Sequence, residues 1–132
     1  MYINDIHVRM SDLDPFNHVN NGAQCNLFDY SRAHFFEHLF DKPIDWLTFD
    51  IVLVHTEFDF RVPIHIHDEV ICKTLVLELG RTSIKMKQIF ADKNTGEIKT
   101  ECYCVLVVID REKNKPKPIP LNYRTLLAKE MS

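Results

Sequence analysis

The chain has 132 residues, 45% of them hydrophobic and 27% charged, with a net charge of -3. That length supports one domain (1–132) with a core of its own, needing no disulfide or metal staple. The mild acidity gives no electrostatic reason to expect nucleic acid as a partner, and no apolar run approaches the roughly 18 residues of a membrane-spanning helix. The opening MYINDIHVRM has no basic region followed by an apolar core, so no secretory leader is expected and a cytoplasmic location follows. The four cysteines, Cys25, Cys72, Cys102 and Cys104, are then expected to be reduced. Cys102 and Cys104 share one strand face at period two, the pattern of buried thiols rather than of a zinc knuckle.

Residues 2–10 alternate as a first strand, with Ile6, Val8 and Met10 on one face and His7 and Arg9 on the other. A polar segment follows, in which two aspartates, a proline, a histidine and three asparagines crowd into SDLDPFNHVNN. Such a segment is either a connecting loop with a helix cap or an active-site loop held by rigid elements. From about Gly22 to Phe40 the period becomes helical through Leu27, Phe28, Ser31, Phe35 and Leu39. Phe36 and Phe40 widen the apolar stripe, which predicts a helix enclosed by other structure. Asp41-Lys42-Pro43 ends it, because the residue before a proline is pushed out of the helical region.

After a connector holding Trp46, the period drops to two. Strands are predicted over 51–60, 69–79, 82–91 and 98–110, with Ile84, Met86, Gln88 and Phe90 on one face of the third of these. Gly96 closes a hairpin turn in DKNTG. A basic, proline-rich exit (113–120) leads to a terminal helix over 122–131 capped by Asn122. One strand, one long helix and four strands in hairpin succession predict an α+β fold: an antiparallel sheet of about five strands wrapped around one central helix.

Asp14-Pro15-Phe16-Asn17-His18-Val19-Asn20-Asn21, with Phe28, Asp29 and Arg32, resembles the D-x-x-G-H-V-N-N-x-x-Y-L-x-x-F-E-x-A-R signature of hot-dog thioesterases. The nearest group is the 4-hydroxybenzoyl-CoA thioesterase family with its acyl-CoA thioesterase relatives. His55-Thr56-Glu57-Phe58-Asp59 is similar to the family's second-strand H-T-E segment, and Gly80-Arg81-Thr82-Ser83 to its G-R-S-S turn. The resemblance spans nearly the whole chain. It implies a hot-dog fold, hydrolysis of an acyl-CoA to acid and coenzyme A, a homodimer or homotetramer, and neither cofactor nor metal. It implies Asp14 as nucleophile or general base and the backbone N–H at Asn21 as the donor that polarises the carbonyl. His18, Asn20, Gln24, Asp29 and Arg81 are the implied substrate-binding residues, Arg81 through the phosphates of coenzyme A. Asn17 replaces the family's glycine, Gln24 its tyrosine and Cys25 its leucine, which alters the start of the acyl pocket. Phe28, Phe35, Trp46 and Phe49 suit an aromatic or a fatty acyl group equally.

Rival readings are a non-catalytic acyl-CoA or acyl-carrier binding module, an acyl-carrier-protein thioesterase, and a hydratase on the same scaffold. His34-Phe35-Phe36-Glu37-His38 also fits H-x-x-E-H, which puts two histidines on one helix face as in some zinc peptidases. It has no third ligand in a following helical domain. His65 and His67 stand in a turn, where solvated side chains are expected.

Overall fold

The computed structural model describes residues 1–131. Five strands form one antiparallel sheet: β1 (Tyr2–Ile6), β2 (Ile51–Phe60), β3 (Val70–Leu79), β4 (Ser83–Asp92) and β5 (Ile98–Asp110), in the order β1-β3-β4-β5-β2. A two-residue β6 (Lys115–Pro116) adds to β5. Helix α1 (Asn21–Phe40) packs against one face of the sheet, and a short α2 (Leu121–Ala128) follows the last strand. This is the α+β arrangement that the order of periods predicts and the hot-dog fold that the resemblance implies.

α1 starts where Asn20 turns extended (φ -68, ψ 158) and its side-chain oxygen accepts the Ala23 N–H at 2.7 Å, satisfying one of the free donors of the first turn. It stops where Asp41 turns left-handed (φ 51) and the Asp41 and Lys42 N–H groups fold back onto the His38 and Glu37 carbonyls. Phe28, Phe35, Phe36 and Leu39 are buried against Val76, Ile84, Met86 and Phe90 of the sheet. Phe28 and Phe90 stack with ring centres 3.7 Å apart, and each buried ring of this kind contributes about 1.5–3 kcal/mol of transfer free energy. Cys102 and Cys104 are buried side by side on β5, and Gln88 sits fully buried among the apolar residues of β4.

Two boundaries differ from the sequence expectation. The first strand ends at Ile6, not Met10, because Arg9 turns both its backbone N–H (2.9 Å) and its guanidinium (3.0 Å) onto the Asp12 carboxylate. That interaction winds Met10–Asp12 into a 3-10 turn. The last helix begins at Leu121 with Pro120 in the capping position, so Asn122 lies inside the first turn and is not the cap. Proline suits a helix start because its φ is fixed and it has no N–H to leave open.

The sheet ends on two open edges, β1 on one side and β2 on the other. β2 pairs only with β5; its other edge is open, and Val52, Leu53, Val54 and Phe60 are exposed along it. No helix among the described residues is long and apolar enough to cross a membrane.

Candidate active site

The segment 12–20 is a cross-braced loop. Leu13 and Val19 form an antiparallel bridge, the Asp14 N–H donates to the His18 carbonyl at 2.8 Å, and the Asn17 N–H returns to the Asp14 carbonyl at 3.0 Å. Asn17 takes a left-handed φ of 63°, a conformation that Asn tolerates and that explains why it can stand in for the family's glycine. Asn20 N–H to the Asp12 carbonyl closes the loop on itself, and Val19 N–H to the Ile64 carbonyl ties it to its surroundings, each 2.8 Å.

Within this loop the half-buried Asp14 carboxylate receives two backbone donors, Phe16 N–H at 2.9 Å and His18 N–H at 3.1 Å. Both fall on Oδ1, and among the described residues Oδ2 accepts no bond. One oxygen is therefore clamped by the turn, and the other has no partner among the described residues.

Immediately after the loop, α1 presents its N-terminus. Asn20 caps Ala23, and the Gln24 N–H closes onto the Asn20 carbonyl at 3.0 Å. The N–H groups of Asn21 and Gly22 carry no hydrogen bond among the described residues. Both residues are exposed, so two donors at the positive end of the helix dipole remain open to a ligand. Gly22 was not singled out from the sequence. Its signal is small: the position next to a capping Asn, where a Cβ would come within 3.3 Å of the Asn20 side-chain oxygen.

The other five expected residues stand in different surroundings. Asn20 is spent on capping, and its amide also donates to the Asp12 carbonyl at 3.1 Å. Gln24 points into the core, buried, with Oε1 accepting the Thr100 hydroxyl at 2.6 Å. His18 lies edge-on to His65, ring centres 5.0 Å apart, beside the Asp14 loop. Asp29 is exposed on the helix and binds Arg32 at 2.8 Å. Arg81 is not brought to Asp14 within one protomer. It sits in the β3–β4 turn beyond Leu79, whereas the Asp14 loop is tied to Ile64, just before the start of β3. The ten residues of β3 separate those two ends of the sheet by roughly 30 Å.

The aspartate that sets the loop's anchor is Asp12. Burial pushes its carboxyl up, but the hydrogen bonds from the Arg9 side chain and backbone outweigh that, and its pKa lies below the ordinary value. The two histidines of H-x-x-E-H are engaged separately: His34 against the Tyr30 ring, His38 stacked on Tyr2 and 3.4 Å from Glu130. Glu37 between them accepts the Ile44 N–H at 3.0 Å. Among the described residues no three His, Cys, Asp or Glu side chains converge as a metal site.

The family model described as the thioesterase-like superfamily matches residues 8–128. The chain belongs to that superfamily. It is thus a thioester hydrolase by family, and its solved likenesses share the fold. A thioesterase from Thermus thermophilus, complexed with coenzyme A and Zn, is 30% identical, with a TM-score of 0.82 over 96% of this chain and 92% of that one. A predicted thioesterase from Bacillus stearothermophilus is 22% identical with a TM-score of 0.90, covering 99% and 96%. A 1,4-dihydroxy-2-naphthoyl-CoA thioesterase from Synechocystis is 14% identical with a TM-score of 0.84, covering 96% and 95%. No curated protein matches the sequence. Hydrolysis of a thioester calls for a group that supplies or activates the nucleophile and a stabiliser of oxyanion character.

Proposed function

We propose that this thioesterase hydrolyses acyl-coenzyme A, with Asp14 as the acting carboxylate and the Asn21 and Gly22 N–H groups receiving the thioester oxygen. The observation that carries this reading is the division of labour at Asp14: Oδ1 is held by two backbone donors and Oδ2 accepts no bond among the described residues, in the loop that leads into a helix start with two unpartnered N–H groups. A thioester carbonyl is already electrophilic, so a positioned carboxylate and two dipole-aligned N–H groups suffice without a metal. Asp14 either attacks the carbonyl carbon to form a mixed anhydride or removes a proton from the attacking water. Label found in the Asp14 carboxylate after a single turnover in 18O-labelled water marks the anhydride, because direct attack of water on the thioester places label in the product acid alone. Coenzyme A as the thiol carrier is supported by the 30% identical relative solved with it, and a net charge of -3 disfavours docking to an acidic carrier protein.

The working unit in this reading is a dimer formed across β2. An open edge with exposed Val52, Leu53 and Val54 is a liability that pairing with a second copy removes. An antiparallel two-fold pairing of β2 with β2 sets one protomer's Ile51 end beside the other's Phe60 end. Asp14 then meets the partner's connector and Arg81 turn, which the single protomer holds at the far end of its sheet. Residues from Leu47 to His55 of the second copy line the site, and Arg81 reaches the phosphates of coenzyme A from across the interface.

The deciding experiment is release of free thiol from a panel of acyl-CoAs by the folded protein, alongside Asp14→Asn. Turnover on at least one thioester, lowered at least ~10²-fold by Asp14→Asn with the fold intact, is expected. No release above background on any member overturns the enzyme reading, and near-normal turnover of the variant removes Asp14 from its role.

A further inference from the structure

The two N–H groups that clamp Asp14 Oδ1 belong to Phe16 and His18. Their side chains run on into a row of rings. Phe16 and His18 stand with ring centres 6.5 Å apart, and His18 meets His65 edge to face, 5.0 Å apart with the planes at 85°. Both separations fall within the range of attractive ring pairs. Phe16, at the open end of the row, is 78% exposed, so the row is held from its His65 end.

His65 is itself fixed. Oδ2 of Asp68 accepts its backbone N–H at 2.8 Å and stands 3.5 Å from its ring Nδ1, and the Asp68 N–H returns to the His65 carbonyl at 3.1 Å. Lys99, in the first turn of the ladder at the start of β5, brings Nζ to 4.0 Å from that same Oδ2 and 3.0 Å from Glu97. Only 9% of the Lys99 side chain is exposed, so the turn is anchored on the sheet. One residue earlier, the Ile64 carbonyl takes the Val19 N–H, and both of those residues are buried. Segment 64–65 therefore holds segment 18–19 twice, through one backbone bond and one ring contact. The resemblance gives His65 no role, and the P-I-H-I-H-D turn reads as two solvated histidines. His67 is exposed, as that reading has it, whereas His65 is engaged on both sides.

We infer that His65 is a positioning residue for Asp14: its ring, oriented by Asp68, seats His18 so that the His18 and Phe16 N–H groups stay on Oδ1. A reacting group has to be held to within about 0.5 Å by residues that are themselves locked, and the backbone bond at Val19 fixes the path of the loop without fixing the His18 ring. The inference rests on the reading above for what Asp14 does, and on the contacts alone for how it is held.

The test reads the clamp first without any substrate. Backbone 15N relaxation gives the order parameters of the Phe16 and His18 amides, with the Val19 amide as the control for the backbone tie. In the unaltered protein all three are expected near the rigid value of about 0.85. In His65→Ala the Phe16 and His18 amides fall toward about 0.6 while Val19 stays rigid, and His65→Phe, which keeps a ring in place, holds all three high. Phe16 and His18 amides that are mobile in the unaltered protein, that stay rigid in His65→Ala, or that loosen as much in His65→Phe overturn the inference. Loosening of Val19 to the same degree overturns it too, because the whole loop has then been released. Hydrolysis of octanoyl-CoA and benzoyl-CoA is followed separately. His65→Ala is expected to lower kcat by about 10-fold or more with KM nearly unchanged and the urea midpoint kept, and His65→Phe to retain most of the turnover. Normal kcat in His65→Ala, or a loss that only follows a lower urea midpoint, removes the positioning role. The expected amide pattern without hydrolysis of either thioester keeps the seat and counts against the acyl-CoA reading; turnover with rigid amides in His65→Ala does the reverse.

Discussion

The hydroxyl of Thr100 on β5 donates to Oε1 of Gln24 on α1 across 2.6 Å, with both residues buried. The Gln24 amide in turn reaches the Val19 carbonyl at 3.5 Å, at the end of the Asp14 loop. Sheet, helix start and loop are thus joined through one side chain. Thr100→Val leaves a buried amide oxygen without its donor and is expected to cost about 1–3 kcal/mol of stability. Thr100→Ser keeps the hydroxyl and should retain most of it. Urea unfolding of the two variants checks this, with kcat falling further than KM rises if the pair also places the helix N-terminus. Equal stability of Thr100→Val and the unaltered protein would sink the idea.

Gly22 gives the second prediction. A methyl group there comes within 3.3 Å of the Asn20 side-chain oxygen, and it shadows the open N–H groups at the helix start. Alanine is the better helix former by about 1 kcal/mol, so on propensity alone Gly22→Ala would stabilise. Stability near normal together with a kcat lowered by about 10-fold or more is expected, the size of effect seen when one oxyanion donor is compromised. Unchanged kcat would show that the thioester oxygen does not sit against Gly22.

Sequence reading reached α1 and four of the five main strands because their periods are strong. Ile84, Met86, Gln88 and Phe90 are buried in alternation, as their spacing predicts. It failed where a tertiary or side-chain interaction overrides a pattern. Val8 and Met10 continue the alternation of β1, but the Arg9–Asp12 contact ends the strand first. The residue types around Asp14 fitted a capped connecting loop as well as an active-site loop, the family resemblance favoured the latter, and the loop's hydrogen bonds were not legible. Nothing in a one-dimensional pattern tells that Asn20 is consumed as a cap, that Gln24 turns inward, or that Arg81 lies at the other end of the sheet. Those depend on which partners the fold delivers.

The Arg9–Asp12 contact makes acid stability a direct readout of the loop's anchor. Asp12 has a folded pKa below its unfolded value of about 3.9, so its contribution is fully present above that value and is lost as pH falls through the folded pKa. Arg9→Ala removes the bonds that outweigh burial, and burial then pushes the Asp12 carboxyl up. The acid-unfolding midpoint of Arg9→Ala should therefore move to higher pH, with only a small loss of stability near neutrality because Arg9 is 63% exposed and solvent screens the pair. Circular dichroism across an acid titration measures the shift, and a midpoint that moves down or stays put contradicts the assignment.

The open edge of β2 carries the last prediction. Val54 is 57% exposed and stands at the bulge between Leu53 and His55, in the stretch assigned to the partner-facing edge. In an isolated protomer a charged residue at so exposed a position costs little, within about 0.5 kcal/mol. Across a two-fold strand pairing the same change sets two like charges near each other at the interface and desolvates them. Val54→Asp is therefore expected to leave the fold intact, shift the mass measured by light scattering from dimer to monomer, and reduce acyl-CoA turnover by at least ~10²-fold, because Arg81 and the 47–55 stretch of the second copy no longer reach Asp14. The loss should be relieved as protein concentration is raised, which no defect confined to one protomer would show. A Val54→Asp protein that remains dimeric, or a monomer with full activity, places the interface elsewhere and returns the whole site to a single chain.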